Sequence, residues 1–421
     1  MNESREIVGG LLEELDERKA VELTSRLIQF ESVNPPGDMG EISRYLAGYL
    51  KNEGFDVRTY EPEAGRYGVL VEAGEGKIDR TLVLNGHMDV VPPGDTSRWD
   101  YPPYSGKLED GYILGRGASD MKGGLAGTIV AFIAAAKYGK IPGKLILMLV
   151  PDEESGGCWG TRYFLENHLD TADGCLIGEP SGLFHPTIGQ KGALWLKVTA
   201  SGVPAHGSLY PFEGDSAIIN MTEAIDVLSS LPDREVIVPE EVKEIVEYSK
   251  KVITERKVGN GGHSGEALHT ITCNIGTITG GDKVNKVPEQ CEIEVDVRVP
   301  LGTTSDRVMK YVNGELEERD IQVKVERKKD SIEPNYTAPE EAVVTSVINS
   351  INSLQEEKEA GPTLQWASSD AKFFSQEGIP TVQYRPAELE GIHSFNEKVK
   401  TSDIEFATRV YLATIANFMH G

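Results

Sequence analysis

The sequence predicts an α/β fold in which a main domain, its sheet covered by helices on both faces, is interrupted by a smaller α+β module. Two observations carry this. Near-continuous apolar strands at 67–72, 81–87 and 144–150 alternate with helical stretches, which is how strands buried on both faces read. After Lys191-Gly192 the pattern changes to alternating strands at 193–200, 269–279, 291–299 and 322–328, with helices at 216–231 and 305–317. The main domain is accordingly placed at residues 1–192 and 310–421, and the insert at 193–309.

Taken in order, an amphipathic helix at 19–30 gives way to the breaker-rich loop Glu31-Ser32-Val33-Asn34-Pro35-Pro36-Gly37, and a second helix follows at 41–53. The stretch 124–138 is a helix of mostly small and apolar residues, as expected of one buried on a sheet. Residues 239–265, charged and then glycine-rich, read as a helical excursion and a mobile loop to which no function attaches. From about Asp330 the alternation returns, with helices at 340–354 and 370–377, a strand at 381–385 and a closing helix at 402–419.

A chain of 421 residues is too long for one compact core, consistent with this division. The net charge of −25 argues against nucleic acid or an anionic membrane as partner, since either requires a basic face. No segment approaches the roughly 20 apolar residues that span a bilayer, and the polar, acidic start Met1-Asn2-Glu3-Ser4 carries no targeting pattern, so a cytoplasmic protein is expected. Cys158, Cys175, Cys273 and Cys291 lie far apart without a C-x-x-C pair, which reads as reduced thiols.

Candidate chemistry sits where apolar strands end. His87 and Asp89, two positions apart in Asn85-Gly86-His87-Met88-Asp89-Val90-Val91-Pro92, share one face of an extended chain, so Asp89 can orient a ligating imidazole. The glycine-packed Gly115-Arg116-Gly117-Ala118-Ser119-Asp120-Met121-Lys122-Gly123-Gly124 leaves Asp120 free to point at a site, and it lacks phosphate-loop spacing. Glu153 and Glu154 follow the strand at 144–150, Glu179 follows Cys175-Leu176-Ile177-Gly178, and His393 follows the strand at 381–385. In open α/β sheets ligands collect at the carboxyl ends of strands. Two histidines and three carboxylates so placed form an N and O donor set suited to two zinc ions.

The ordered motifs HMDVVP (87–92), GRGASDMKGG (115–124), DEESGG (152–157), IGEPS (177–181) and HSFNE (393–397) resemble those of the M20 metallopeptidases, over nearly the whole chain. The resemblance implies a zinc-peptidase-like catalytic domain with a mixed sheet, interrupted by a lid and dimerisation domain. It implies two Zn2+ ions, for which Co2+ can substitute: Asp120 bridging them, His87 and Glu179 completing one site, Glu154 and His393 the other. Asp89 would orient His87, and Glu153 would be the general base. A cis peptide between Asp120 and Met121 is also implied. The implied activity is hydrolysis of an amide bond in a small, carboxylate-bearing N-acyl amino acid, of deacetylase or desuccinylase type; the alternatives are a dipeptidase, carboxypeptidase or aminoacylase of the same family and, outside enzymes, a peptidase-like binding protein without catalysis, against which the intact Glu153 and full ligand set count.

In the insert, Gly202-Val203-Pro204-Ala205-His206-Gly207-Ser208 resembles the family segment whose histidine reaches across a homodimer to stabilise an oxyanion, whereas composition alone makes His206 an exposed loop residue. Asn274, Asn285 and Arg298 resemble residues that meet the substrate carboxylate, although Arg298 can equally pair with nearby acids. Arg385 stands where relatives place a glycine-rich turn, and either lines the pocket or lies on the surface.

Overall fold

The computed structural model describes residues 2–139, 141–255, 263–329, 331–387 and 391–421. It divides into two compact units, Met1–Ile188 with Tyr336–Thr363 and Ser369–Gly421, and Gly189–Asn335 with Leu364–Ser368.

In the first unit the sheet runs, in spatial order, Val57–Tyr60, Gly68–Ala73, Lys144–Val150, Thr81–His87, Gly174–Ile177 and Thr381–Gln383. The last four are parallel, and the two outer strands before them are antiparallel, so the sheet is mixed. The apolar runs sit at its centre. Val83, Ile146, Met148 and Val150 face a layer containing Phe164, Phe373 and Phe374. The helix Gly123–Tyr138 packs on Thr81–His87 and Lys144–Val150, and is itself covered by Arg18–Ile28 and Thr401–His420. All of that helix from Gly123 to Phe132 is buried, which explains its lack of a polar face there.

Parallel order puts the carboxyl ends of Thr81–His87, Lys144–Val150 and Gly174–Ile177 on one edge. The helix N-terminus reaches that edge because Gly124 has no side chain: a Cβ there would stand 1.8 Å from the Gly178 carbonyl oxygen. Gly124→Ala must therefore push the helix from the strand end. We expect a loss of about 3 kcal/mol, the upper range for overpacking, read as a lower unfolding midpoint in denaturant.

The second unit is a four-stranded antiparallel sheet in the order Thr272–Gly280, Gln290–Val299, Gly192–Ser201, Val323–Arg327. Alternate residues of its two central strands, among them Leu194, Leu196, Val198, Ile293, Val295 and Val297, are buried with Met221, Val227, Val308, Val312 and Leu316 of the helices Ala217–Ser229 and Ser305–Glu318. Thr272–Gly280 is an outer strand and is largely exposed.

The predicted boundary at 310 is corrected by this packing. Helix Ser305–Glu318 and strand Val323–Arg327 belong to the second unit, which runs to Asn335, because Val308, Val312 and Leu316 complete its core and Val323–Arg327 pairs with Gly192–Ser201. Of the excursion at 239–265, Glu240–Glu255 is a helix that buries Val242, Ile245, Val246 and Val252, while residues 256–262 lie outside the described residues. Among the described residues, no helix is long and apolar enough to cross a membrane.

Candidate metal centre

Asp120 stands between two histidines in the first unit. Its Oδ1 is 3.1 Å from His87 Nε2 and its Oδ2 is 3.2 Å from His393 Nε2. Glu179 Oε1 lies 3.5 Å from His87 Nε2, and Glu154 Oε2 lies 3.2 Å from His393 Nε2. The donor atoms of His87, Asp120 and Glu154 lie within 4.8 Å of one another, as do those of His87, Glu153 and Glu179. Glu153 thus reaches the same side as His87 and Glu179. The Asp120–Met121 peptide is cis.

Each donor is delivered by a chain feature. His87 ends a strand that is buried from Leu82 onward, and is itself buried. Glu153 and Glu154 occupy a short turn directly after Lys144–Val150, closed by Gly156 and Gly157, both at positive φ. His393 sits in an exposed loop with φ +57, and the same loop is pinned by paired hydrogen bonds of 2.8 Å between Asn396 and Asp100.

Asp89 has a wider part than the sequence suggests. His87 Nδ1 is 2.9 Å from the Asp89 backbone carbonyl and 3.4 Å from its carboxylate. The carboxylate itself accepts from the Glu153 and Glu154 amides, at 3.2 and 3.1 Å, and from Asn34 Nδ2 at 2.8 Å. Asp89 therefore organises the turn that carries both glutamates, besides flanking the imidazole.

Electrostatics ties these groups to cations. Burial opposes the charged form of Asp120, but hydrogen bonds from His393 and His87 hold its carboxyl well below the usual carboxylate range. Asp120 and Glu154 push His393 up to about 11. Burial, with Asp120 nearby, pushes Glu179 up to about 7, and burial raises Glu153 and Glu154. Five carboxylates (Asp89, Asp120, Glu153, Glu154, Glu179) thus face two imidazoles, and the cluster retains protons that divalent cations would displace. Since the shift of His393 is upward, its proton is held through neutral pH, so cation binding must release protons and weaken as pH falls. Calorimetric zinc titrations of metal-free protein in two buffers of different ionisation enthalpy should show this proton release.

The insert residues lie in the second unit. His206 is exposed, with Nδ1 2.7 Å from Ser208 Oγ and accepting from the Ser208 amide at 3.3 Å. An accepting Nδ1 places the ring proton of neutral His206 on Nε2. The next residue, Gly207, donates its amide to the Asn285 carbonyl at 2.9 Å, so His206 and Asn285 sit on adjoining loops. Asn274 pairs across the sheet with Asp296, on the face opposite the buried residues of Gln290–Val299. Of the two readings of Arg298, the ion pair is present: its Nε meets Asp296 at 3.0 Å, and Trp195 Nε1 donates to the same carboxylate.

Arg385 neither lines a surface nor reaches solvent. It is fully buried and donates through Nη2 to the Ser119 carbonyl and through Nη1 to the Pro386 carbonyl. Two further residues of the first unit, to which the sequence gives no part, support the site: Asn34, in the breaker-rich loop, bonds Asp89, and Glu397, the last residue of the HSFNE motif, accepts from the Asp120 amide. Asn34-Pro35-Pro36, with two cis prolyl bonds, was visible as a breaker but not as a neighbour of Asp89.

A mixed α/β sheet here gathers imidazole and carboxylate side chains around one shared aspartate, an arrangement of the kind metal-dependent hydrolases use. A profile described as Peptidase family M20/M25/M40 matches residues 83–417, and the chain belongs to that family. An acetylornithine deacetylase of Vibrio campbellii is 32% identical over 289 residues, 68% of this chain and 69% of the relative. The M20 family metallo-carboxypeptidase Sso-CP2 of Sulfolobus solfataricus is similar in structure, with TM-score 0.78 and 19% identity over 95% of this chain and 99% of that one. Human carnosine dipeptidase 1 superposes with TM-score 0.72 at 18% identity, covering 99% of this chain and 100% of that one.

Proposed function

We propose that this enzyme hydrolyses the amide bond of a small N-acylated amino acid that keeps a free carboxylate, a deacetylase or desuccinylase type of reaction. The observation that carries the reading is Asp120, whose two oxygens each face a different histidine. The donors fit two zinc ions: His87, Asp120 and Glu179 would hold one, and Glu154, His393 and Asp120 the other, with cobalt an acceptable substitute. When bound, such a pair polarises the amide carbonyl and lowers the pKa of water.

The chain's own residues supply the rest. Asp89 holds the turn that presents Glu153 and flanks His87, which fixes the base relative to the donors. Glu153, assigned to no cation, accepts a proton from the attacking water and returns it to the departing amine nitrogen. His206 Nε2–H is the donor for the developing oxyanion, provided by a second copy of the chain through a dimer of lid domains. The exposed outer strand Thr272–Gly280 and the exposed side chains Ile219 and Ile278 are compatible with such a contact. Asn274, Asn285 and Arg298 take the substrate carboxylate, Asp296 steadying the guanidinium by its Nε edge.

The similarity to an acetylornithine deacetylase favours the acyl substrate, while the carboxypeptidase-like structure keeps peptide cleavage as the second reading. A screen with zinc or cobalt across N-acetylornithine, N-succinyl-diaminopimelate, other N-acyl amino acids and dipeptides separates them. We expect turnover of an N-acyl amino acid; activity on dipeptides alone would replace this reading with the second.

A further inference from the structure

Glu397 is buried at 1% exposure, and its carboxylate is enclosed by the chain segment that ends in Asp120. Oε1 accepts from the Ser119 and Asp120 amides at 2.8 and 3.0 Å; Oε2 accepts from the Gly117 amide at 3.1 Å and from Arg116 Nη1 at 2.6 Å. Three converging amides and a guanidinium are an anion-binding concavity, here filled by the protein's own side chain. Gly117, at φ +83, provides the left-handed step that turns its amide inward.

One peptide group is gripped from both ends. The Ser119–Asp120 amide donates to Glu397, and the Ser119 carbonyl on the same plane accepts from buried Arg385. This is the peptide from which the Asp120 side chain departs. The backbone of Glu397 adds to the link: its carbonyl accepts from the Gly115 amide at 2.9 Å and from Tyr101 Oη at 2.8 Å, and the Lys398 carbonyl accepts from Ser119 Oγ at 2.9 Å. Glu397 stands four residues after His393, so one carboxylate joins the loop carrying His393 to the loop carrying Asp120.

We infer that Glu397, with Arg385 opposing it, is a positioning residue that sets Asp120 in its two-sided orientation before any cation arrives and couples the His393 loop to it. This rests on the reading that Asp120 serves both cations. Exposed donors attached to a loose loop would need ordering at the cost of affinity, and partners behind metal ligands are worth about 10–100-fold in metal affinity.

Two measurements test it. In metal-depleted wild-type protein, hydrogen exchange of a peptide spanning 115–121 should be slow at the Gly117, Ser119 and Asp120 amides, and zinc should slow it little further. Fast exchange that becomes slow only on adding zinc would mean the cations order the loop, and would overturn the inference whether or not any variant folds. In Glu397→Gln, which keeps the shape but turns a donor toward backbone N–H groups, calorimetric zinc titration should show both equivalents weakened about 10–100-fold. A variant that only melts at lower temperature, with wild-type zinc affinity, would make Glu397 a plain structural residue and the inference wrong. The wild-type titration separates the two levels: if wild type takes up no zinc, the reading of the metal centre fails; if it takes up two and Glu397→Gln binds both equally well, only the positioning role fails.

Discussion

Replacing Glu153 with glutamine should lower kcat by about 10²–10⁴-fold, the range for removing a positioned general base, while leaving zinc stoichiometry and KM close to wild type. The reason is the division of labour at the turn after Lys144–Val150. Glu154 faces His393 at 3.2 Å, whereas Glu153 points to the side of His87 and Glu179 and has no assigned cation. In wild type kcat should fall as pH drops and Glu153 takes up a proton, since a protonated base accepts nothing. That acidic limb should be missing from the residual activity of the variant. Stopped-time assays across pH, paired with metal analysis of the same samples, check both parts; a variant that loses zinc together with rate would make Glu153 a ligand.

Asp120→Ala should have the larger effect on metal content. On the proposed assignment this change withdraws one donor from each site at once, so zinc affinity should drop by more than the about 10–100-fold that partners behind ligands contribute, and hydrolysis should approach the uncatalysed rate. His393→Ala, by contrast, withdraws a donor from one side only, and the site formed by His87, Asp120 and Glu179 should remain. Dialysis against buffered zinc followed by elemental analysis distinguishes the two: nearly no retained zinc for Asp120→Ala, and about one equivalent for His393→Ala.

The parts of the fold that were legible in the sequence are those whose burial is written in local composition. Thr81–His87 and Lys144–Val150 coincide with the strands read from their Leu and Val runs, and the helix Gly123–Tyr138 begins one residue before its predicted start. Short strands such as Lys107–Glu109 and Lys398–Lys400 carry no such pattern: one is exposed throughout, the other has a single buried residue, and both exist because neighbours pair with them. The insert extends past the predicted boundary at 310 for a related reason, since the amphipathic face of Ser305–Glu318 does not say which core will receive it.

At the site, His87 was legible because it ends an apolar strand, and Glu153, Glu154 and Glu179 because they follow others within four residues, whereas Asp120 stood out by its glycine-packed loop and His393 by its motif, ten residues past Thr381–Gln383. The groups behind them were not. Glu397 and Arg385 act on backbone amides and a carbonyl more than 260 residues away in sequence, as the separations of 277 and 266 residues between bonded partners show. A charged side chain that is buried because it neutralises peptide dipoles has the same local signature as one on the surface, and Arg385 shows this. The spacing of Asp89 marks it as a partner of His87, yet its carboxylate bonds mainly to the turn 64 and 65 residues onward, which no local spacing reveals.

The most direct test of the two-cation hydrolase is the rate of N-acyl amino acid hydrolysis as zinc is returned to metal-depleted protein. The rate should rise from the blank and level off at two equivalents of zinc per chain. A rate independent of zinc, or one complete at a single equivalent, would contradict a centre built on Asp120 shared between His87 and His393.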